Sequence, residues 1–225
     1  QGIAGNLAAQ FGAILGIWSL IRANDAWVGA TNQLRLVTES TTQLRDVTQE
    51  VYDLAQRTAS RFEATAGLYA SIQRAAGATI GGQREVLRLT ETIMKLTAAG
   101  GGPEGSRNAA LFQLRQAMGG SVLQAQEFNS LLDGAPLLVQ AIADSFGVTR
   151  GQLRAMVNDQ KVQITDLIGA LQGYADEADA LFARSNFTMG DAFVRLQNAF
   201  QKLVGTQLGP IFSTLVRAIS TVAEN

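Results

Sequence analysis

The chain has 225 residues, enough for one large or two small domains with a buried core. Nearly half is apolar (47%), with 7% aromatic and 16% charged, a balance that excludes a disordered chain. It contains no Cys and no His, which removes disulfides, thiolate and imidazole metal sites, cysteine nucleophiles and Ser-His-Asp triads. Most enzyme classes are thereby disfavoured, and binding or structural roles move up. Eighteen basic residues nearly cancel nineteen acidic ones, for a net charge of −1, and neither half of the chain is a polycation of the kind nucleic acid attracts. The chain begins with Gln rather than Met, which reads as an excised domain or a processed product.

Residues 1–21 carry no charge. Ile3, Leu7, Phe11, Ile14, Trp18 and Ile21 recur at spacings of three and four, so the segment is predicted to be a helix. Ala8, Gly12 and Gly16 form a second, small face, and Gly12-x-x-x-Gly16 matches a close-packing motif of membrane helices. The length is near the roughly 20 residues needed to cross a bilayer. No basic stretch precedes it, which argues against a signal peptide. Two readings follow: a soluble helix whose small face admits a neighbour, or a conditional membrane insert. Ala8, Gly12, Gly16 and Trp18 are the candidate contact residues under either.

Helical periodicity continues to the end. Predicted apolar stripes run through Leu44, Val47, Val51 and Leu54; Phe62, Ala66, Tyr69 and Ile72; Val86, Leu89, Ile93 and Leu96; and Leu111, Leu114 and Met118. Later stripes hold Leu138, Ile142 and Phe146; Leu167, Leu171, Tyr174 and Leu181; and Met189, Phe193, Leu196, Phe200 and Leu203. Each is expected to be buried against neighbours. Ser40-x-x-Gln43, Ser60-x-x-Glu63, Thr149-x-x-Gln152 and Thr188-x-x-Asp191 read as capping boxes that open helices. Gly77, Gly81-Gly82, Gly100-Gly101-Gly102-Pro103, Gly119-Gly120 and Gly134-Ala135-Pro136 separate the segments, and residues 98–106 are expected to form a long, mobile loop. Pro210 should kink or restart the last helix. The expected fold is all-α: a compact multi-helix domain of short helices, with longer helices at its N- and C-terminal ends.

Little in the sequence is poised for chemistry, and no catalytic, cofactor-binding or metal-binding residue is expected. The glycines at 100–102 lack the Lys-Ser/Thr of a phosphate loop and read as a linker. Asp166, Asp176, Glu177 and Asp179 lack the alternating loop spacing of a calcium site and read as a solvated face. Glu39-Ser40 superficially resembles a dipeptide of lytic transglycosylases without the residues around it, so a carboxylate-based peptidoglycan hydrolase is a distant alternative. Residues 138–156 have the shape of a helix-turn-helix, with Gly147 at the turn and Arg150 and Arg154 on the second helix. Asp144 and Asp159 balance those arginines, so the DNA-binding regulator is the alternative rather than the leading reading.

Residues 34–77 (LRLVTESTTQLRDVTQEVYDLAQRTASRFEATAGLYASIQRAAG) and VLRLTETIMKLTAAGG after them resemble the tape measure domain of long-tailed bacteriophages and prophages. So do EFNSLLDGAPLLVQAIADSFGVTRGQLRAMVNDQKV, ITDLIGALQ and MGDAFVRLQNAFQKLVG, in the expected order from about Leu34 to Gly205. The resemblance implies a structural tail protein lying in the lumen of the phage tail, made in the host cytoplasm. Its extended length would set the length of the tail tube, and it would assist genome delivery through the host envelope. The implied partners are other copies of itself, the tail tube protein, tail tip or hub proteins and the tail assembly chaperone. The host envelope membrane is a further candidate on ejection, and no specific nucleic acid is expected. On this reading residues 1–33 are an apolar end helix, 34–205 the tape measure domain, and 206–225 a C-terminal helix leading to missing downstream chain. The frequent glycine breaks make this domain a folded station on the ruler rather than its measuring stretch.

Overall fold

A computed structural model describes residues 2–212 and 214, with side chains from residue 18 onward. Within these residues the fold is all-α, with a single isolated β-bridge between Val122 and Gln163. Helix α1 (Gly2–Arg35) has Ala23, Trp27, Ala30 and Leu34 buried in the core. It is followed by α2 (Thr41–Arg57), where Ser40 Oγ accepts from Gln43 N. The Gln43 side chain reaches back to Glu39 N rather than to Ser40 N, so this box is shifted by one residue.

Helix α3 (Phe62–Ala76) sits at the centre, packed against α1, α2 and the two helices that follow. Phe62, Ala66, Leu68, Tyr69 and Ile72 are all buried, so apolar side chains cover more of its circumference than one stripe. Helix α4 (Gln83–Ala99) buries Val86, Leu89, Ile93 and Leu96. The expected long loop at 98–106 is much shorter. It runs only from Gly100 to Pro103, because Pro103 serves as the N-cap of α5 (Glu104–Ala117), and Gly101 and Gly102 make the turn at φ 70° and 92°.

Helix α6 (Ala125–Gly134) folds back onto α5 at a distance only glycine permits. A Cβ on Gly134 would lie 2.1 Å from the Ser106 carbonyl oxygen. Pro136 then occupies the first turn of α7 (Pro136–Ser145), where its missing N–H costs nothing. Helices α8 (Arg150–Asn158), α9 (Ile164–Gln172) and α10 (Ala175–Ala183) complete the body, with Leu153, Val157, Leu167, Leu171 and Ala178 buried.

Two of the acids near α10 tie helices together. Asp179 accepts from Lys95 Nζ at 2.6 Å, and Asp176 lies 3.5 Å from Arg88. Both pairs fasten α10 to α4.

Helix α11 (Met189–Leu203) opens with the expected capping box: Thr188 Oγ1 accepts from Asp191 N, and Thr188 N donates to Asp191 Oδ2 at 2.8 Å. It runs on into a π-helical turn (Val204–Leu208) and helical residues 209–212. The irregularity therefore precedes Pro210 instead of falling on it, since a widened turn upstream accommodates a residue with no N–H to donate. That turn carries Gly205 against the Trp27 ring, where a Cβ would come within 2.1 Å.

Candidate interaction surface

The corner between α2 and α3 presents backbone groups that need partners. Ser60 is not the N-cap expected of it; its hydroxyl turns back toward the Thr58 carbonyl, and the cap position falls to Arg61, which has no side-chain cap bond. The first amides of α3 are thus left without a local acceptor. Asn198 of α11 supplies one: its Oδ1 accepts from Phe62 N at 3.0 Å while its Nδ2 donates to the Ser60 carbonyl at 2.8 Å. Around it, Arg195 Nη2 donates to the Arg57 carbonyl, Gln56 Nε2 to the Arg195 carbonyl, and Gln201 Nε2 to Glu63 Oε1.

Charged groups complete this inner face. Arg107 and Asp191 pair at 2.8 Å, and both are largely buried. Burial opposes the Asp191 charge, but hydrogen bonds from Thr188 and Arg107 outweigh it and hold the carboxyl below its ordinary range. Lys202 Nζ lies 4.1 Å from the centroid of the Tyr52 ring. That ring belongs to a cluster in which Trp27 stacks on Phe62 at 4.8 Å and Tyr52 meets both edge-on.

Helix α11 therefore docks through a polar face, with Asp191, Asn198 and Gln201 buried beside Val194. This overturns the expectation that its apolar stripe is buried. Met189 (76%), Phe193 (66%), Leu196 (64%), Phe200 (39%) and Leu203 (58%) instead face outward. The physical reason is local: an apolar face could not satisfy the Phe62 amide and Ser60 carbonyl, whereas Asn198 satisfies both. The charged side chains of the helix are all drawn inward, with Arg195 stacked 3.9 Å over the Phe187 ring. The stripe's exposed flanks, Gly190, Ala192, Gln197 and Ala199, carry no charge.

Of the residues singled out in the sequence, Trp18 is 55% exposed near the start of the described side chains. Ala8, Gly12 and Gly16 lie on α1, but their side-chain surroundings fall outside the described residues. Among the described residues no helix is long and apolar enough to cross a membrane. The helix-turn-helix shape is present as α7, Gly147 at φ 66°, and α8. Arg150 Nε donates to Gln140 at 2.6 Å and Arg154 lies 6.0 Å from the Phe128 ring, so both arginines contact the neighbouring helices. Leu153 and Val157 bury the inner side of α8.

Residues 19–208 match the family model described as Tape measure protein. The chain belongs to the tape measure protein family. No match is found among curated proteins or among solved structures. Tape measure proteins are structural proteins of phage tails, not enzymes, and the match takes in the whole of α11 and nearly all of the surface just described.

Proposed function

We propose that this domain is a folded station of a tail tape measure protein, whose chain length sets tail-tube length and which assists genome delivery through the host envelope. Residues 34–205 form most of its body, which also takes in Ala23, Trp27 and Ala30 of α1. The reading is supported by the family match together with the outward apolar stripe of α11. Met189, Phe193, Leu196, Phe200 and Leu203 follow spacings of 4, 3, 4 and 3, the seven-residue pattern by which two helices interlock.

The occupant of that stripe is a second copy of the chain. Uncharged flanks impose no repulsion on self-pairing, and the small Gly190, Ala192 and Ala199 allow close approach. The five apolar side chains expose on the order of 600 Å², approaching the ~800 Å² per partner of a standard interface. Ala8, Gly12, Gly16 and Trp18 add a second helix-packing contact, with the tail tube, tip or hub proteins and the assembly chaperone as further partners.

Sedimentation of the chain tests the pairing. The parent should sediment as a dimer or larger, and a Phe193→Glu, Leu196→Glu variant as a monomer with unchanged helicity. A monomeric parent, or equal masses for the two, would overturn it. Replacing Gly12 and Gly16 by Leu should weaken association further. In the virion, in-frame deletions elsewhere in the parent protein should shorten tails by about 1.5 Å per residue removed.

A further inference from the structure

A cleft of about 540 Å³ opens between α3, α5, the α5–α6 connection and α9, away from the residues of α11. Two arginines line it, Arg74 and Arg115, with no acidic side chain among the lining residues. Neither guanidinium has a carboxylate partner among the described residues. Arg74 donates to Ser71 Oγ at 3.3 Å and Arg115 Nη2 to Gln33 Oε1 at 3.2 Å, while Arg115 Nε is buried with no hydrogen-bond partner.

Stability does not account for this arrangement. A half-buried guanidinium without a counter-charge is unfavourable, and a second cation beside it makes it more so. Burial, and then the charge of Arg74, both push the Arg115 guanidinium below its ordinary pKa. The fold nonetheless makes room for it. A Cβ on Gly67, in the middle of α3, would sit 2.3 Å from Arg115 Cζ, so the guanidinium lies directly over the backbone of α3. Arg115 Nε is turned into the protein, so the remaining Arg115 donors and those of the exposed Arg74 are what a carboxylate or another oxyanion in the cleft would meet.

The remaining lining narrows the ligand. Met118, Ile164 and Ile168 supply aliphatic surface, and Ser121 and Thr165 add hydroxyls. No aromatic ring lines the cleft to stack on a nucleobase. A volume in the range of small-ligand sites admits a side chain and its immediate neighbours.

We infer that the Arg74–Arg115 cleft is a docking site for an acidic peptide segment, in which a Glu or Asp carboxylate flanked by aliphatic residues bridges the two guanidiniums. The inference goes beyond the self-pairing of α11 and shares no residue with it.

The probe is the capped peptide acetyl-Leu-Glu-Leu-amide, titrated into the full chain and followed by the amide resonances of Gly119, Gly120 and Ser121. The expected result is a saturable shift with a millimolar Kd, at least tenfold weaker for the Leu-Gln-Leu peptide and for the Arg74→Gln variant. Arg74 is exposed, so that substitution should leave the fold intact; Arg115→Lys, which keeps the charge but loses the fork, should weaken binding several-fold. Equal binding of the Glu and Gln peptides, or of parent and Arg74→Gln, would overturn the inference. So would inorganic phosphate saturating the same amides where the peptide does not.

Discussion

Helices α3 and α11 are equally long and both amphipathic, yet they are held in opposite ways. Helix α3 buries Phe62, Ala66, Leu68, Tyr69 and Ile72 and is surrounded by apolar neighbours. Helix α11 buries Asp191, Asn198 and Gln201 beside Val194 and leaves the five apolar residues of its stripe largely in solvent. The first is fixed by the hydrophobic effect, which is non-directional and scales with area. The second is fixed by directional bonds to backbone groups that a helix corner leaves unsatisfied. Hydrogen bonds are worth little individually once the competition with water is counted. Buried Glu63 Oε2 and Gln201 Oε1 also lack hydrogen-bond partners among the described residues. Helix α11 is thus the less firmly attached of the two and the one whose outer face is available to a partner. The difference marks a division of labour between a body that folds and a helix that connects.

Substitutions in the body and on the α11 side test that contrast. The largest effect is expected from the body: Ile93→Ala, at a fully buried position of α4, should cost about 2–5 kcal/mol and lower the denaturation midpoint of the whole domain. On the α11 side, Arg107→Ala leaves Asp191 buried without its partner and should cost about 3 kcal/mol. Hydrogen exchange should place that loss in α11, with α3 amides remaining protected; uniform loss of protection would mean that the two helices unfold as one unit. Asn198→Ala should cost about 2 kcal/mol by stranding the Phe62 amide, again with exchange concentrated in α11. At the small end, Phe193→Ser with Leu196→Ser should change stability by less than ~0.5 kcal/mol while reducing association, because these side chains are already in solvent.

The pH dependence separates the same two regions. Asp191 has a depressed pKa, so its contribution is complete above the ordinary 3.8 and is lost as the pH falls through the lower value it has in the fold. Helix α11 should therefore loosen in acid. Tyr69, in the body, is pushed up to about 12 by burial and then by the charge of Glu50. Its contribution is present in full below 10.0 and is lost as the pH climbs through about 12. Near-ultraviolet dichroism of the body should be insensitive to acid that already releases α11. A single transition common to both regions in acid would contradict the assignment of Asp191.

The helices, most of their ends and the body's core were legible in the chain because they depend on local spacing. The stripes of Val47 and Val51, of Phe62 and Tyr69, and of Leu89 and Ile93 are buried as their periodicity predicts. Two capping boxes, at Thr149 and Thr188, form within four consecutive residues and could be read directly. Ser60 has the same pattern and does not cap, since the chain turns through Ala59 at φ 47° and the helix begins later. The bond from Gln124 N to Glu127 Oε2 at 2.9 Å carries no such sequence signal, because Gln is an unusual residue at that position.

The candidate surface was half legible. The five apolar residues of α11 and their spacing stand in the sequence, as does the family resemblance. Which way they point does not, for amphipathicity identifies two faces without saying which neighbour awaits either one. The all-α class, the order and approximate limits of the helices, the absence of cysteine and histidine chemistry, and membership of a structural family can all be read from the order of residues along the chain. The packing of the helices is what turns the polar side of α11 inward and brings Arg74 and Arg115 into one cleft with no acid among its lining residues. Both outcomes depend on groups distant in sequence: a backbone amide at Phe62 needing an acceptor, and a space over Gly67 wide enough for a guanidinium. Local periodicity carries no information about either, because the unsatisfied group and the residue that answers it come together only when the helices pack.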